Sequence, residues 1–315
     1  MTTPSARARR DATVGSLLGL AIGDALGTTI EFSSRDTVPE VTDLIGGGPF
    51  QLEPGQWTDD TSLALCVASS LAETGAYDPV DQLDRFVKWR DHGFMSSTGR
   101  CFDIGHQTAV GLDEFLATGE PYRSHVDDRS AGNGSLMRLA PIPLAFATDV
   151  ELAARLSADS SRTTHPAHEC VDACFAFGYL IATAAGTKDK EDVLQAAQQL
   201  ANRIESPAIS AVLAGSYRTK SRAEISSSGY VVDTLEAALW ALDQTDDFQS
   251  GILLVVNLAD DADTVGAVYG QLAGALYGQS GIRQDWVERV YATELIEDLA
   301  LAIYTRAGGF AIAGD

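Results

Sequence analysis

Two short stretches of this chain gather acidic and hydroxyl side chains in the same grammar. Trp57-Thr58-Asp59-Asp60-Thr61 runs into a helical pattern from Ser62 to Glu73, and Asp260-Asp261-Ala262-Asp263-Thr264 runs into one from Val265 to Tyr277. Thr and Asp at a helix start have an ordinary use: they cap free N–H groups and favour the positive end of the helix dipole. Each cluster also supplies two carboxylates and a hydroxyl, hard oxygen donors that select Mg²⁺, Mn²⁺ or Ca²⁺ over zinc. Brought together, the carboxylates would repel one another unless divalent cations neutralised them, and such cations leave open positions for water and substrate. About 200 residues separate the clusters, so spacing alone leaves their meeting open.

Other positions could join such a centre. Asp24 interrupts the apolar first helix, and Glu31 follows it in apolar surroundings. A buried carboxylate needs partners, so Asp24 has a capping or bridging role as its plain alternative. Asp103, in Cys101-Phe102-Asp103-Ile104-Gly105, precedes a helix and has N-capping as its alternative. The glycines of Gly132-Asn133-Gly134-Ser135-Leu136-Met137-Arg138 permit exposed backbone N–H groups able to cradle phosphates, although Gly-rich turns are common. His165, with His168 and Glu169, only faintly suggests zinc, because the order H-x-x-H-E is not the zinc-protease H-E-x-x-H. A polar ligand contact or a helix-start role suits His165 better.

Helices must position these residues. Helical patterns cover 12–26, 61–74, 80–92, 105–118, 149–159, 166–186, 189–203, 207–216, 232–244, 248–258, 264–278 and 285–306, and no alternation is long enough for a sheet. Stretches 32–57, 119–135 and 217–231 read as ordered loops, where function tends to sit. No charge run or repeat marks a boundary, so one domain is expected over 12–315, after a flexible arm over 1–11. Glycines recur every four residues at Gly15, Gly19, Gly23 and Gly27, and again at Gly266, Gly270, Gly274 and Gly278. Each helical Gly costs roughly 1 kcal/mol against Ala. A full ridge implies that the two helices meet closely near the centre of the fold, unless it is ordinary drift in a protein rich in small residues.

Composition narrows the classes. The 315 residues are 45% apolar, enough for a large core. Forty-four acidic against 22 basic residues give a net charge of −22, which argues against nucleic acid and anionic membrane surfaces. Arg7, Arg9 and Arg10 before an apolar run resemble a signal peptide, but the run stops at Asp24 without a convincing cleavage site. The apolar stretch Ala173–Gly186 is too short to span a bilayer. Cys66, Cys101, Cys170 and Cys174 form no C-x-x-C pair, and reduced thiols in a cytoplasmic protein are expected. No membrane insertion is expected, and a monomer.

From about Val14 to Gly278 the chain resembles the ADP-ribosylglycohydrolases, closest to the bacterial dinitrogenase reductase-activating branch. The resemblance is carried by G-D-A-L-G with Glu31, W-T-D-D-T, C-F-D-I-G, G-N-G-S-L-M-R, R-T-T-H, S-G-Y-V-V-D-T-L-E-A-A-L-W and D-A-D-T-V-G-A, in that order. It implies an all-α fold, a single compact orthogonal multi-helix domain with a dinuclear metal cleft holding two cations, Mg²⁺ or Mn²⁺. Thr58, Asp59 and Asp60 match one ligand group, and Asp261, Asp263 and Thr264 the other. Gly132, Asn133, Gly134 and Ser135 fall where the family holds the diphosphate with backbone amides. Met137 shares that motif and joins the substrate-binding set. His165 matches a phosphate or ribose contact, and Tyr230 a loop flanking the adenosine or ribose end. Glu31 and Asp103 match acids near the scissile bond, suited to proton transfer or water positioning.

The implied reaction removes mono-ADP-ribose from arginine side chains, the partner being an ADP-ribosylated protein or ADP-ribose itself. Serine-linked ADP-ribose, O-acetyl-ADP-ribose and a silent ADP-ribose binder are the alternatives within the family. A metal-dependent phosphohydrolase of nucleotides is the reading without it. Two positions depart from the family pattern. His106 stands where Asn is frequent, which bears on the leaving group, and Ala259-Asp260 stands where Gly is frequent, which bears on the second metal's surroundings.

Overall fold

In a computed structural model of the chain, which describes residues 6–127 and 129–313, the path is almost wholly helical. The helices are α1 Ala6–Gly27, α2 Asp59–Thr74, α3 Pro79–His92, α4 His106–Thr118, α5 Pro141–Ala145, α6 Val150–Arg162 and α7 His168–Gly186. There follow α8 Lys190–Ala201, α9 Pro207–Leu213, α10 Val231–Gln244, α11 Phe248–Val256, α12 Ala262–Tyr277, α13 Gln284–Arg289 and α14 Thr293–Arg306. The sheet is one parallel pair of two-residue strands, Ala76–Tyr77 with Ala311–Ile312, tying the chain end to the foot of α2. The fold is all-α, as the periodicity predicts.

At the centre, α1 is buried from Ala12 to Gly27, and α12 from Ala262 to Leu276. A helix buried on every side must be apolar or small all round, which these two are. The glycine ridges face each other in antiparallel order. A Cβ on Gly15, Gly19 or Gly23 would overlap the carbonyl oxygen of Gly274, Gly270 or Gly266, and the reverse holds for each pair. Gly27 meets Ala262 in the same way, while Gly278 ends α12 at φ +75°. Ser16 adds a hydrogen bond to the Gln271 carbonyl at 2.7 Å.

Local side-chain caps explain five helix starts. Asp78, Asp149, Asp189, Ser206 and Asp247 accept N–H groups of α3, α6, α8, α9 and α11. The starts of α2 and α12 differ: neither Thr58 nor Asp261 caps its own helix through its side chain.

Three expectations are corrected. The helix starts at Ala6, so residues 6–11 of the expected arm are helical, and 1–5 lie outside the described residues. Nothing in Arg7 to Asp11 breaks a helix that packing holds from Ala12 onward. The pattern over 285–306 is two helices, because Ala292 turns left-handed at φ +56° and Tyr291 N–H leaves to the Gly55 carbonyl at 2.9 Å. Finally, α7 is longer than its apolar stretch. By length and composition it could cross a membrane, but 61% of its most apolar window is buried inside the protein, as in a core helix.

Candidate active site

Asp24 organises the start of α2. From within α1 it accepts Thr58 N–H at 2.8 Å, Thr61 N–H at 3.0 Å and the Thr61 hydroxyl at 2.7 Å. The bridging reading of Asp24 is therefore the observed one. With the helix capped from outside, the carboxylates of Asp59 and Asp60 are free for other use. The Thr58 hydroxyl turns to Asp263 Oδ2 at 3.3 Å, joining the two acidic clusters.

The segment before α12 is bent to present its acids. Ala259 and Asp260 lie at φ +63° and +59°. This left-handed region favours Gly, so Ala and Asp there carry a backbone strain of about 1 kcal/mol per residue. Arg35 holds the bend, donating to the carbonyls of Leu258, Arg222 and Ile225 at 2.9, 2.6 and 2.7 Å. Asp261 then accepts from Asn133 Nδ2 at 2.6 Å.

All three expected loops reach this place. Ala131 and Asn133 pair with Val231 and Gly229, so the glycine turn is laid along the loop that carries Tyr230. Gln271 of α12 staples the turn's exit, donating to the Leu136 and Met137 carbonyls and accepting Ala140 N–H. Among the described residues, the amides of Gly134 and Ser135 have no hydrogen-bond acceptor.

A cleft of about 380 Å³ results. Of the expected residues it is lined by Glu31, Asp59, Asp60, Asp103, Gly132, Asn133, Gly134, Met137, His165, Asp261 and Thr264. Four expected residues are not on the lining. Thr58 and Asp263 are buried and joined by their hydrogen bond. The Ser135 hydroxyl faces inward to Ser161 at 2.8 Å, which leaves its backbone amide as the group able to serve. Tyr230 flanks the turn, its hydroxyl donating to Glu169 at 2.7 Å.

The electrostatics are those of crowded, buried acids. Glu31, Asp103 and Asp263 each offer one oxygen within 4.8 Å of the others. Burial first, then the neighbouring Asp263 and Asp103, pushes Glu31 up to about 11. Burial, then Asp24 and Asp261, raises Asp103 to about 7. Asp59, Asp60 and Asp263 are driven well above the usual carboxylate range by burial first and then by neighbouring carboxylates, chiefly Asp103 for Asp59, Asp263 for Asp60 and Asp261 for Asp263. Glu31 Oε2, Asp60 Oδ2 and Asp263 Oδ1 are buried without a partner among the described residues. Orphaned buried carboxylate oxygens are costly, and this all-oxygen donor set fits a hard divalent cation. Asp103 is not an N-cap: it lies at φ +60°, Gly105 stands at the N-cap position of α4, and the Asp103 carboxylate meets Glu31 and Asp263 instead.

His165 sits at the other side of the turn. Arg138 donates to the Gly134 carbonyl at 2.6 Å and to Thr164 Oγ1 at 2.7 Å, and Thr164 Oγ1 lies 2.7 Å from His165 Nδ1. Arginine only donates, so the Thr164 oxygen accepts from it and its one hydrogen is available to Nδ1. Donated there, it places the His165 proton on Nε2, the nitrogen nearest Gly134. Burial first, then Arg138 and Arg123, holds its pKa well below the ordinary value, keeping the ring neutral.

A model of the ADP-ribosylglycohydrolase family matches residues 5–309. The chain belongs to that family. Among curated relatives, ADP-ribosylarginine hydrolase Tri1 of Pseudomonas putida (strain GB-1) is 46% identical over 94% of this chain and 79% of its own length. Its namesake from Serratia proteamaculans (strain 568) is 42% identical over 94% and 80%. The ADP-ribosyl-[dinitrogen reductase] glycohydrolase of Rhodospirillum rubrum is 31% identical over 92% of both chains. A solved structure described as an ADP-ribosylglycohydrolase-related protein complex aligns with a TM-score of 0.84 at 42% identity, covering 96% of this chain and 99% of that one.

Within this ADP-ribosylglycohydrolase, the departure at His106 falls on the cleft lining at the first residue of α4, next to Gln107. Sequence reasoning missed Phe32, Thr108 and Gln271. Only Gln271, a buried amide inside a glycine-spaced helix, left a readable signal.

Proposed function

We propose that this cleft hydrolyses the N-glycosidic bond between arginine side chains and mono-ADP-ribose. The observation that carries the reading is the meeting of two distant acidic helix starts, through Thr58 and Asp263, beside a glycine turn with unpaired amides. The naming of two relatives as ADP-ribosylarginine hydrolases supports arginine as the linkage.

Thr58, Asp59 and Asp60, with Asp261, Asp263 and Thr264, would hold two divalent cations, Mg²⁺ or Mn²⁺. When bound, the cations supply positive charge that offsets the carboxylates and polarises oxygen atoms of the substrate and water. The chain's own residues do the rest. The amides of Gly134 and Ser135 and the Nε2–H of His165 bind the diphosphate, a site for anions in a protein of net charge −22. Asp103, whose carboxylate meets Glu31 and Asp263 in the cleft, moves a proton at its carboxylate oxygen. Glu31 stands beside Asp103, with an oxygen of each within 4.8 Å of the other.

The test sets arginine-ADP-ribosylated and serine-ADP-ribosylated proteins side by side, each with Mg²⁺, Mn²⁺ or EDTA. Release of ADP-ribose from arginine, lost in EDTA, is the expected result. Release only from serine, or binding of ADP-ribose without turnover, replaces this reading with its alternative.

A further inference from the structure

Phe32 is the most exposed of the large apolar side chains among the described residues, at 66%, and it lines the cleft directly after Glu31. Its backbone lies at φ +59°, where a bulky side chain is an outlier. Two hydrogen bonds hold it there. Phe32 N–H donates to the Asp260 carbonyl at 2.7 Å, and Asp260 N–H donates to the Ser33 carbonyl at 3.0 Å. An exposed aromatic ring kept in an unfavourable conformation beside an active site points to a use for it.

The ring does not stand alone. Phe102 precedes Asp103 as Phe32 follows Glu31, so each of the two converging acids has a phenylalanine as chain neighbour. Phe50 links them, its ring centroid 6.5 Å from that of Phe32 and 5.1 Å from that of Phe102. Phe50 and Phe102 are half-buried, and they back the exposed ring.

We propose that Phe32 is the seat of the leaving group, with the guanidinium of the modified arginine lying against its ring beside Glu31 and Asp103. This rests on the arginine reading above. The substrate is linear: diphosphate, ribose, then arginine. The glycine turn is tied to Asp261 through Asn133, and the aromatic set is tied to Glu31 and Asp103. A diphosphate at the turn and a ribose over the carboxylates therefore bring the arginine to Phe32. A guanidinium is planar, cationic and weakly hydrated, and it stacks on aromatic faces. Among the described residues that line the cleft there is no Lys or Arg to repel it. A serine leaving group has neither charge nor plane and gains nothing from the ring.

The test uses Phe32→Leu, Phe32→Gly and Phe32→Trp in the full chain with Mg²⁺. Glycine adopts this φ without strain, so Phe32→Gly should fold. Turnover is measured on an arginine-ADP-ribosylated peptide, and affinity on free ADP-ribose by calorimetry. Leu and Gly are expected to lower kcat/KM on the arginine conjugate about tenfold, and Trp to restore it. Free ADP-ribose lacks the guanidinium and is expected to bind all variants equally. Unchanged arginine turnover in Phe32→Leu overturns the assignment, as does an equal fall in ADP-ribose affinity. An unaltered protein that binds ADP-ribose yet leaves the arginine conjugate intact overturns the functional reading itself, and this assignment with it.

Discussion

The hydroxyl of Thr58 donates to the carboxylate of Asp263 at 3.3 Å, across 205 positions of sequence. Each residue stands at the start of a helix whose N-terminus it does not cap. That contact makes one centre of two acidic clusters, and it bears directly on how the centre should respond to substitution.

Asp60→Asn and Asp263→Asn remove a charge from a site where both acids are buried and mutually repelling. Activity should fall by at least about 10²-fold, while the fold survives. In EDTA each variant should melt about 2 °C or more above the unaltered protein, because repulsion is relieved. The stabilisation by Mg²⁺ should shrink in both. Thermal melts with and without Mg²⁺, beside an activity assay, check all three. A variant that keeps full turnover contradicts the assignment of the ligands.

The metal-free protein should lose stability as pH rises. Asp103 is raised from 3.8 to about 7 and Asp24 to about 6, mainly by burial. Acids that hold protons more tightly folded than unfolded contribute fully below about pH 4 and lose that contribution up to their folded values. Melting temperature in EDTA should therefore decline between pH 5 and about 7. Saturating Mg²⁺ should flatten the slope, since cations take the place of protons. A metal-free profile that rises across this window contradicts the crowding of the carboxylates.

Gly19→Ala and Gly270→Ala test the central contact. Helix propensity alone favours Ala by roughly 1 kcal/mol. Overlap of the new Cβ with the facing carbonyl should outweigh that gain, giving a net loss of about 2 kcal/mol or more. Urea denaturation of each variant reads the sign directly.

Thr164→Val cuts the link between Arg138 and His165 Nδ1. The His165 ring should then lose its fixed Nε2–H form, seen as altered ¹⁵N shifts of the imidazole. ADP-ribose affinity should fall about tenfold, the worth of one hydrogen bond to a charged group. Unchanged shifts and affinity would show that Thr164 does not set the tautomer.

Much of this was legible because it is local. Helices over 61–74 and 264–278, and the glycine period, follow from rules spanning four residues; the earlier start of α2 at Asp59 does not, since Asp24 caps it from α1. The meeting of α1 with α12 was legible because two matching ridges make an unusual pair. What escaped depends on distant partners. The break at Ala292 has no Gly or Pro to announce it; a hydrogen bond from Tyr291 to Gly55 makes it. Ser135 sits in the right motif, yet its hydroxyl is drawn inward by Ser161, and spacing carries no direction for a turn residue. Phe32 was missed because an exposed ring beside an acid has no pattern of its own until the acid's partners are known.

The antiparallel pairing of Gly15, Gly19 and Gly23 with Gly274, Gly270 and Gly266 works as a gauge block. Main chain rests on main chain, so no rotamer can take up slack between the end of α1 and the start of α12. The distance between Asp24 on α1 and Asp263 on α12 is thereby set by backbone contact alone. The same rigidity closes one evolutionary route: the cleft cannot widen by small adjustments of its two central helices. New ligands would have to be admitted at the rims, where Phe32 and Tyr230 sit on segments free to change.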